Sequence, residues 1–415
     1  MDEPIRSLRF LLLFLLLPSL SLQREDQRLK LSTVDLNALK AIKASLTDIP
    51  GSAFFSTWDF ASTDPCSSFS GLTCSLISSS LRVTVLSLGT GLSGSHGLAG
   101  SLSSSLFQLT ELTQLLLFPG LVTGPIPLQL CRLSNLRVIS LTENRLTGPV
   151  PSCFSAFSNL HTLDLSYNQL TGSIPPGLTR LPRLKVLILA SNSLSGELPD
   201  VSTQLLHLDL KWNRLNGQLP SLPSSLRYLS LSRNTMWGPL NGLGSLSELV
   251  YLDLSMNQFD GPIPAPLFRP TLSSLLLQRN NLSGGVLLAG PTTPLSYGEG
   301  SIVDLSHNFL TGELSAVLIG VESLFLNNNR LIGRVPEEYV KSVYRGGTKT
   351  LYLQHNYING FRLEPGAALP DTASLCLSYN CMVPPSAGVK ACPASAGSQI
   401  SRPEWQCSMF YKGRS

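Results

Sequence analysis

Charge is scarce in this sequence. Asp, Glu, Lys and Arg make up 13% of its 415 residues, and the net charge is only +4. No block of Lys or Arg rises above that background, so a nucleic-acid-binding surface is not implied. Histidine is scarcer still: His96, His161, His207, His307 and His355 stand far apart. No Cys-x-x-Cys or paired-His spacing is present, which argues against zinc, and no cofactor is implied. The H-E-x-x-H, G-x-S-x-G and phosphate-loop patterns are also missing, so the chain reads as a non-enzyme. One apolar run, Phe10–Leu17, is too short for the ~20 residues of a membrane-spanning helix. What remains is a chain that is 43% apolar with 33 Gly and 29 Pro. It is too apolar for disorder and rich in turn formers.

The apolar residues obey a frame. Leu163–Pro175 reads Leu-Asp-Leu-Ser-Tyr-Asn-Gln-Leu-Thr-Gly-Ser-Ile-Pro, and the pattern L-x-L-x-x-N-x-L-x-G-x-I-P returns along the chain. Its Asn falls at Asn144, Asn168, Asn192, Asn213, Asn234, Asn257, Asn280, Asn308, Asn329, Asn356 and Asn380. Gly120 and Gly91 hold the same place upstream, giving about 13 units. In each unit the two Leu of a short strand point inward. The Asn leaves the strand at a bend, where its amide can serve backbone groups of the neighbouring turn. Thr-Gly permits a tight turn, as at Thr171-Gly172, and Ile-Pro starts the return path. No unit can bury its apolar edge alone, so a solenoid is predicted. Pro in the return path removes a donor and predicts 3₁₀ or irregular structure there rather than long helices.

The tail of the frame carries a resemblance. It stands as Gly124-Pro-Ile-Pro127, Gly148-Pro-Val-Pro151, Gly172-Ser-Ile-Pro175, Gly196-Glu-Leu-Pro199, Gly217-Gln-Leu-Pro220, Gly261-Pro-Ile-Pro264 and Gly333-Arg-Val-Pro336. In this the chain resembles the plant extracellular leucine-rich repeat family, over roughly residues 31–407. The resemblance implies an α/β solenoid, a right-handed curved array with a parallel concave sheet and Cys-containing caps at both ends. It also implies a non-catalytic module that binds a protein or peptide, with a receptor-kinase co-receptor as one partner type. Its members include secreted inhibitors of microbial polygalacturonases and receptor-like proteins with a membrane helix, and both stand as alternatives.

The ends are expected to differ from the array. Arg6 and Arg9, the run Phe10–Leu17 and Pro18-Ser-Leu-Ser21 have the layout of a secretory signal peptide over residues 1–21. Residues 22–80 are assigned to an N-terminal cap, 81–380 to the repeats and 381–415 to a C-terminal cap. In the first cap, Val34, Leu36, Leu39, Ile42 and Leu46 recur at near-helical spacing, with Asp35 as a candidate helix cap. Two long units, at Leu287–Ser301 and Glu337–Thr350, read as turn-rich insertions on the return side. The Gly91–Gly100 stretch reads as an insertion in the turn, with His96 solvated there. Eight Cys behind a signal peptide point to an oxidising compartment, extracellular in the apoplast or cell wall. Cys66 and Cys74 match the family's cap pair. Cys376, Cys381, Cys392 and Cys407 allow three connectivities, with Cys381–Cys407 or Cys376–Cys392 favoured. Cys131 and Cys153 lie in adjacent units, as either a bridge or two buried thiols. Asn281-Leu-Ser283 is a glycosylation sequon.

Function should lie on the concave face, where equal slots of successive units, ~4.8 Å apart, stack into columns. His207, Tyr228 and Tyr251 share the slot six before the Asn, and Phe325 and Tyr352 the slot four before it. Tyr167, Trp212, Met256, His307, His355 and Tyr379 share the slot just before it, with Arg233 and Arg279 among them. Exposed aromatics and Arg are what binding hot spots are made of. The candidate binding residues are therefore Tyr167, His207, Lys211, Trp212, Tyr228, Arg233, Tyr251, Phe325 and Tyr352. The Asp ladder Asp164, Asp209, Asp253 and Asp304 reads as strand filler and not as acid–base pairs.

Overall fold

A computed structural model describes residues 30–89, 97–285, 297–362, 369–382, 392 and 400–412. The proposed signal segment, His96 and much of the Leu287–Ser301 insertion lie outside them.

A single parallel ladder runs through the repeats. Thirteen repeat strands, from Ser80–Leu88 through Thr162–Asp164 and His207–Asp209 to Ser374–Cys376, pair in sequence order. One further strand, Leu72–Ile77, adds antiparallel from the cap. Register is strict. Leu163 pairs with Ile139 and Leu187, and Leu208 with Leu187 and Leu229. All five side chains are fully buried. A slip of one residue would turn this whole column to water, so the Leu spacing and the register enforce each other.

The Asn ladder locks the coils together. Asn213 Oδ1 accepts the N–H of Leu194 at 3.0 Å from the preceding coil, while its Nδ2 donates to Leu189 O and Leu210 O at 2.9 and 3.1 Å. Asn168 does the same with Leu146 N, Leu141 O and Leu165 O. Each amide thus satisfies backbone groups that the bend strands inside the core.

The outer path is mostly 3₁₀, at Ser104–Gln108, Leu128–Arg132, Ser152–Ala156 and Ala265–Leu267 among others. Beyond the expected turns, the Leu-x-Gly segments pair into lateral parallel sheets, from Leu98–Ser101 through Arg145–Pro149 to Arg214–Asn216 and again from Trp237–Pro239 to Arg330–Ile332. At Gly172 φ is +78° and an added Cβ would meet only Pro149 Cβ at 3.6 Å. The glycine is therefore there for its backbone conformation, not for a close approach.

Two expectations need correction. Asp35 is not a helix cap: Ser32 holds that position of the helix Thr33–Ser45. Asp35 is fully buried, holds Arg82 through both oxygens at 2.9 and 3.0 Å, and accepts the N–H of Val83. It ties the cap helix to the first repeat strand. Nor is Glu337–Thr350 merely turns, since Glu337–Tyr344 is an α-helix. Pro336 precedes it, Glu337 and Glu338 fill its first turn, and Tyr339, Val340 and Val343 are buried on one face. Gly346 follows with φ +75°.

The caps close both ends. Trp58 is buried with Phe69 stacked on it at 5.2 Å, inside a cluster with Phe54, Phe55 and Phe60. Disulfides join Cys66 to Cys74, Cys131 to Cys153, Cys376 to Cys392 and Cys381 to Cys407. The helix Glu404–Lys412 lies over the last coils, with Phe410 stacked on Tyr357 at 3.6 Å.

Candidate functional site: the concave face

The backbone just before each repeat Asn sets the geometry of this face. Glu143, Tyr167, Ser191, Trp212, Arg233, Met256, Arg279, His307, Asn328, His355 and Tyr379 all have φ between +51° and +59°. L residues avoid this left-handed region. Here the bonds of the following Asn on both sides of the bend hold it. The conformation swings these side chains onto the rim of the concave sheet. The uniform absence of Pro and β-branched residues from the slot was the sequence signal for it.

The candidate residues form separate groups. His207, Tyr228 and Tyr251 pair directly across three strands. Their rings stack nearly parallel at 4.0 and 4.4 Å. Partial burial lowers the His207 pKa, with Asp209 opposing and Lys211 reinforcing the shift. Burial, with Asp209 adding to it, pushes the Tyr228 phenol up to about 12, and Tyr251 is raised too. The phenols therefore stay neutral hydrogen-bonding groups.

Trp212 does not join this stack. It stands five residues on from His207, at the bend past the strand His207–Asp209, 51% exposed, with the Arg233 guanidinium over its ring at 3.9 Å. Between the two groups Lys211 Nζ pairs with Asp209 at 3.0 Å. Burial disfavours this ammonium, but the hydrogen bond and charge of Asp209 outweigh it and raise the Lys211 pKa. Tyr167, 52% exposed, lies two coils before Trp212 in the same slot. Phe325 and Tyr352 meet edge to face at 5.3 Å, with Tyr352 Oη 3.1 Å from Ser374 Oγ. Five strand steps, about 24 Å, separate this patch from His207. Tyr379 belongs to the C-terminal cap, since Arg402 lies over its ring at 4.6 Å.

The acidic ladder is engaged locally. Asp164 and Asp253 each accept bonds from the N–H and hydroxyl of the Ser two residues on, Asp304 from Ser306 N–H, and Asp209 from Lys211. Burial raises the Asp304 pKa, with the Ser306 bonds opposing. These carboxylates serve the strand bends. Asn281 is exposed on a lateral strand, away from the concave face.

Comparison with known proteins agrees with this architecture. Residues 134–194 and 248–269 match leucine rich repeat families, and residues 32–75 match the leucine rich repeat N-terminal domain. Receptor-like protein 54 of Arabidopsis thaliana is 34% identical over 98 residues, 22% of this chain and 11% of that protein. The ectodomain of the Arabidopsis thaliana receptor kinase GASSHO1/SCHENGEN3, solved in complex with CASPARIAN STRIP INTEGRITY FACTOR 2, is 28% identical with a TM-score of 0.68. That match covers 85% of this chain and 44% of that one. A plant ice-binding protein is 27% identical with a TM-score of 0.56, over 81% of this chain and all of its own. The chain spans less than half the length of these two receptor relatives. Residues 32–75 thus carry the leucine rich repeat N-terminal domain, residues 134–194 and 248–269 carry leucine rich repeats, and the coil is like those of plant receptor ectodomains.

Proposed function

We propose that this chain is a non-catalytic, extracellular plant module that binds a protein or peptide on its concave face. The observation that carries the reading is the pair Tyr167 and Trp212, both more than half exposed on the curved face while the inward Leu columns are buried beneath it. An exposed Trp does little for folding and much for binding once an interface desolvates it. The stack His207–Tyr228–Tyr251 supplies a rigid, weakly polar wall, and Lys211 and Arg233 supply cations. Phe325 and Tyr352 form a second patch. Support also comes from GASSHO1/SCHENGEN3, whose coil was solved holding a partner. Extracellular placement rests on the four disulfides and the N-terminal Arg6–Ser21 layout.

The test compares wild-type and Trp212→Ala protein as baits on plant wall extract, with melting temperature measured on both. Trp212→Ala should keep its melting temperature and lose a partner that wild type retains. A stable variant that captures every wild-type partner would place the site elsewhere.

A further inference from the structure

Tyr167, Ser191 and Trp212 hold the same left-handed slot in three successive coils. Backbone bonds keep those coils in register: Tyr167 N–H donates to Ala190 O and Ser191 N–H to Lys211 O, both at 2.9 Å. Arg233 of the next coil covers one face of the Trp212 indole. Arg233 stands in the coil after Trp212, and the step on the preceding side, over Ser191 to Tyr167, is the one left to a ligand. Ser191 and the buried Ala190 put no bulk in that step.

The width of the step suits an aromatic ring. Where rings occupy this slot in neighbouring coils, at His355 and Tyr379, their centroids lie 5.0 Å apart. Two such steps set Tyr167 and Trp212 about 10 Å apart, close to two full strand spacings. A flat ring over Ser191 would then meet each wall at the spacing the protein already uses for its own rings in this slot. Charge orders what lies on either side. In the same line of slots the exposed Glu143 follows Tyr167 outward, and the exposed Arg233 follows Trp212.

We propose that Tyr167, Ser191 and Trp212 clamp an aromatic side chain of an extended peptide whose acidic residue lies toward Arg233 and whose basic residue lies toward Glu143. This rests on the concave face being the peptide-binding surface.

The test pans one display library of short random peptides against wild type, Ser191→Tyr, Arg233→Glu and Trp212→Ala. Tyr167 and Tyr379 carry rings at φ 55° and 54° in this slot, so Ser191→Tyr is compatible with the backbone and fills the step. Wild type should select peptides pairing Trp, Tyr or Phe with Asp or Glu. A synthetic copy of a selected peptide should bind Ser191→Tyr at least roughly tenfold more weakly. Arg233→Glu should select a basic residue where wild type selects an acidic one. If Ser191→Tyr melts early, the Arg233→Glu charge swap and Trp212→Ala carry the test. Selected peptides without an aromatic residue, or ones that bind a folded Ser191→Tyr as well as wild type, overturn the clamp and leave concave peptide binding standing. A library yielding no peptide that depends on Trp212 overturns both. Fluorescence quenching by wall oligosaccharides in wild type but not in Trp212→Ala, with no peptide selected, assigns the step to sugar rings and also overturns the clamp.

Discussion

A repeat Asn and the residue before it have opposite duties although they are neighbours. Asn213 makes its bonds inside the coil, so Asn213→Ala strips the Leu194 N–H of its acceptor and removes one of the two Asn donors that serve each of Leu189 O and Leu210 O. Chemical denaturation should show a loss of about 1–3 kcal/mol. Trp212 stands outside the core in a left-handed backbone that glycine adopts freely, so Trp212→Gly should melt no lower than wild type. An early-melting Trp212→Gly would make the indole a packing residue. His207 adds a pH dependence. Its pKa is lowered in the fold, chiefly by burial, so the unfolded chain takes up the proton first on acidification. This stability is present above the ordinary value of 6.5 and is lost as pH falls through the lowered pKa. His207→Phe should therefore flatten the acid side of the melting-temperature profile around pH 6, and an unchanged profile would rule out His207 as its source.

At the scale of elements, the helix Glu337–Tyr344 shows how a local pattern overrides the repeat. The long unit has room for two helical turns, and Tyr339, fully buried, donates its hydroxyl to Ser315 O across the return side. Burial also raises the Tyr339 pKa. Val343→Asp would place an unpaired carboxylate in that packed face, and a drop of about 3 kcal/mol or more is expected in denaturant unfolding. The repeat glycines act differently. Gly172→Ala makes only an ordinary contact with Pro149 but has a strained φ, so its cost should be about 1–2 kcal/mol. A cost near zero would show that the lateral turn can relax.

At the scale of the whole molecule, stability comes from stacking coil on coil, and each end exposes a half-finished core. The N-terminal end is closed by Trp58 and its aromatic cluster, with Asp35 and Arg82 fastening the cap to the first coil. The other end is closed by the helix Glu404–Lys412, held by Cys381–Cys407, with Arg402 Nε donating to Asn356 O. Protein truncated after Asn380 should lose cooperative unfolding in its last coils, read as hydrogen exchange rising from Leu351 to Leu377. Uniform protection there would mean that the terminal helix is dispensable. Intact mass of protein secreted from plant cells should show cleavage near Ser21 and eight cysteines without free thiols.

The frame L-x-L-x-x-N-x-L-x-G-x-I-P determined the solenoid, the inward Leu columns and the 3₁₀ return path, because each rests on spacing alone and repeats in every coil. It also made the stack His207–Tyr228–Tyr251 legible, since equal slots must become neighbours in a parallel ladder. Spacing could not reveal what depends on contacts between unlike slots or distant segments. Asp35 looks like a helix cap until Arg82 and Val83 are folded against it, 47 and 48 residues away. Trp212 and Tyr228 are both candidates for one face, but Tyr228 pairs with His207 while Trp212 stands five residues on, at the bend past that strand. The left-handed slot, the lateral sheets and the pairing of Cys376 with Cys392 were decided only in three dimensions. There, backbone bonds between coils and the closure of the last coil select one geometry from several that the sequence allows.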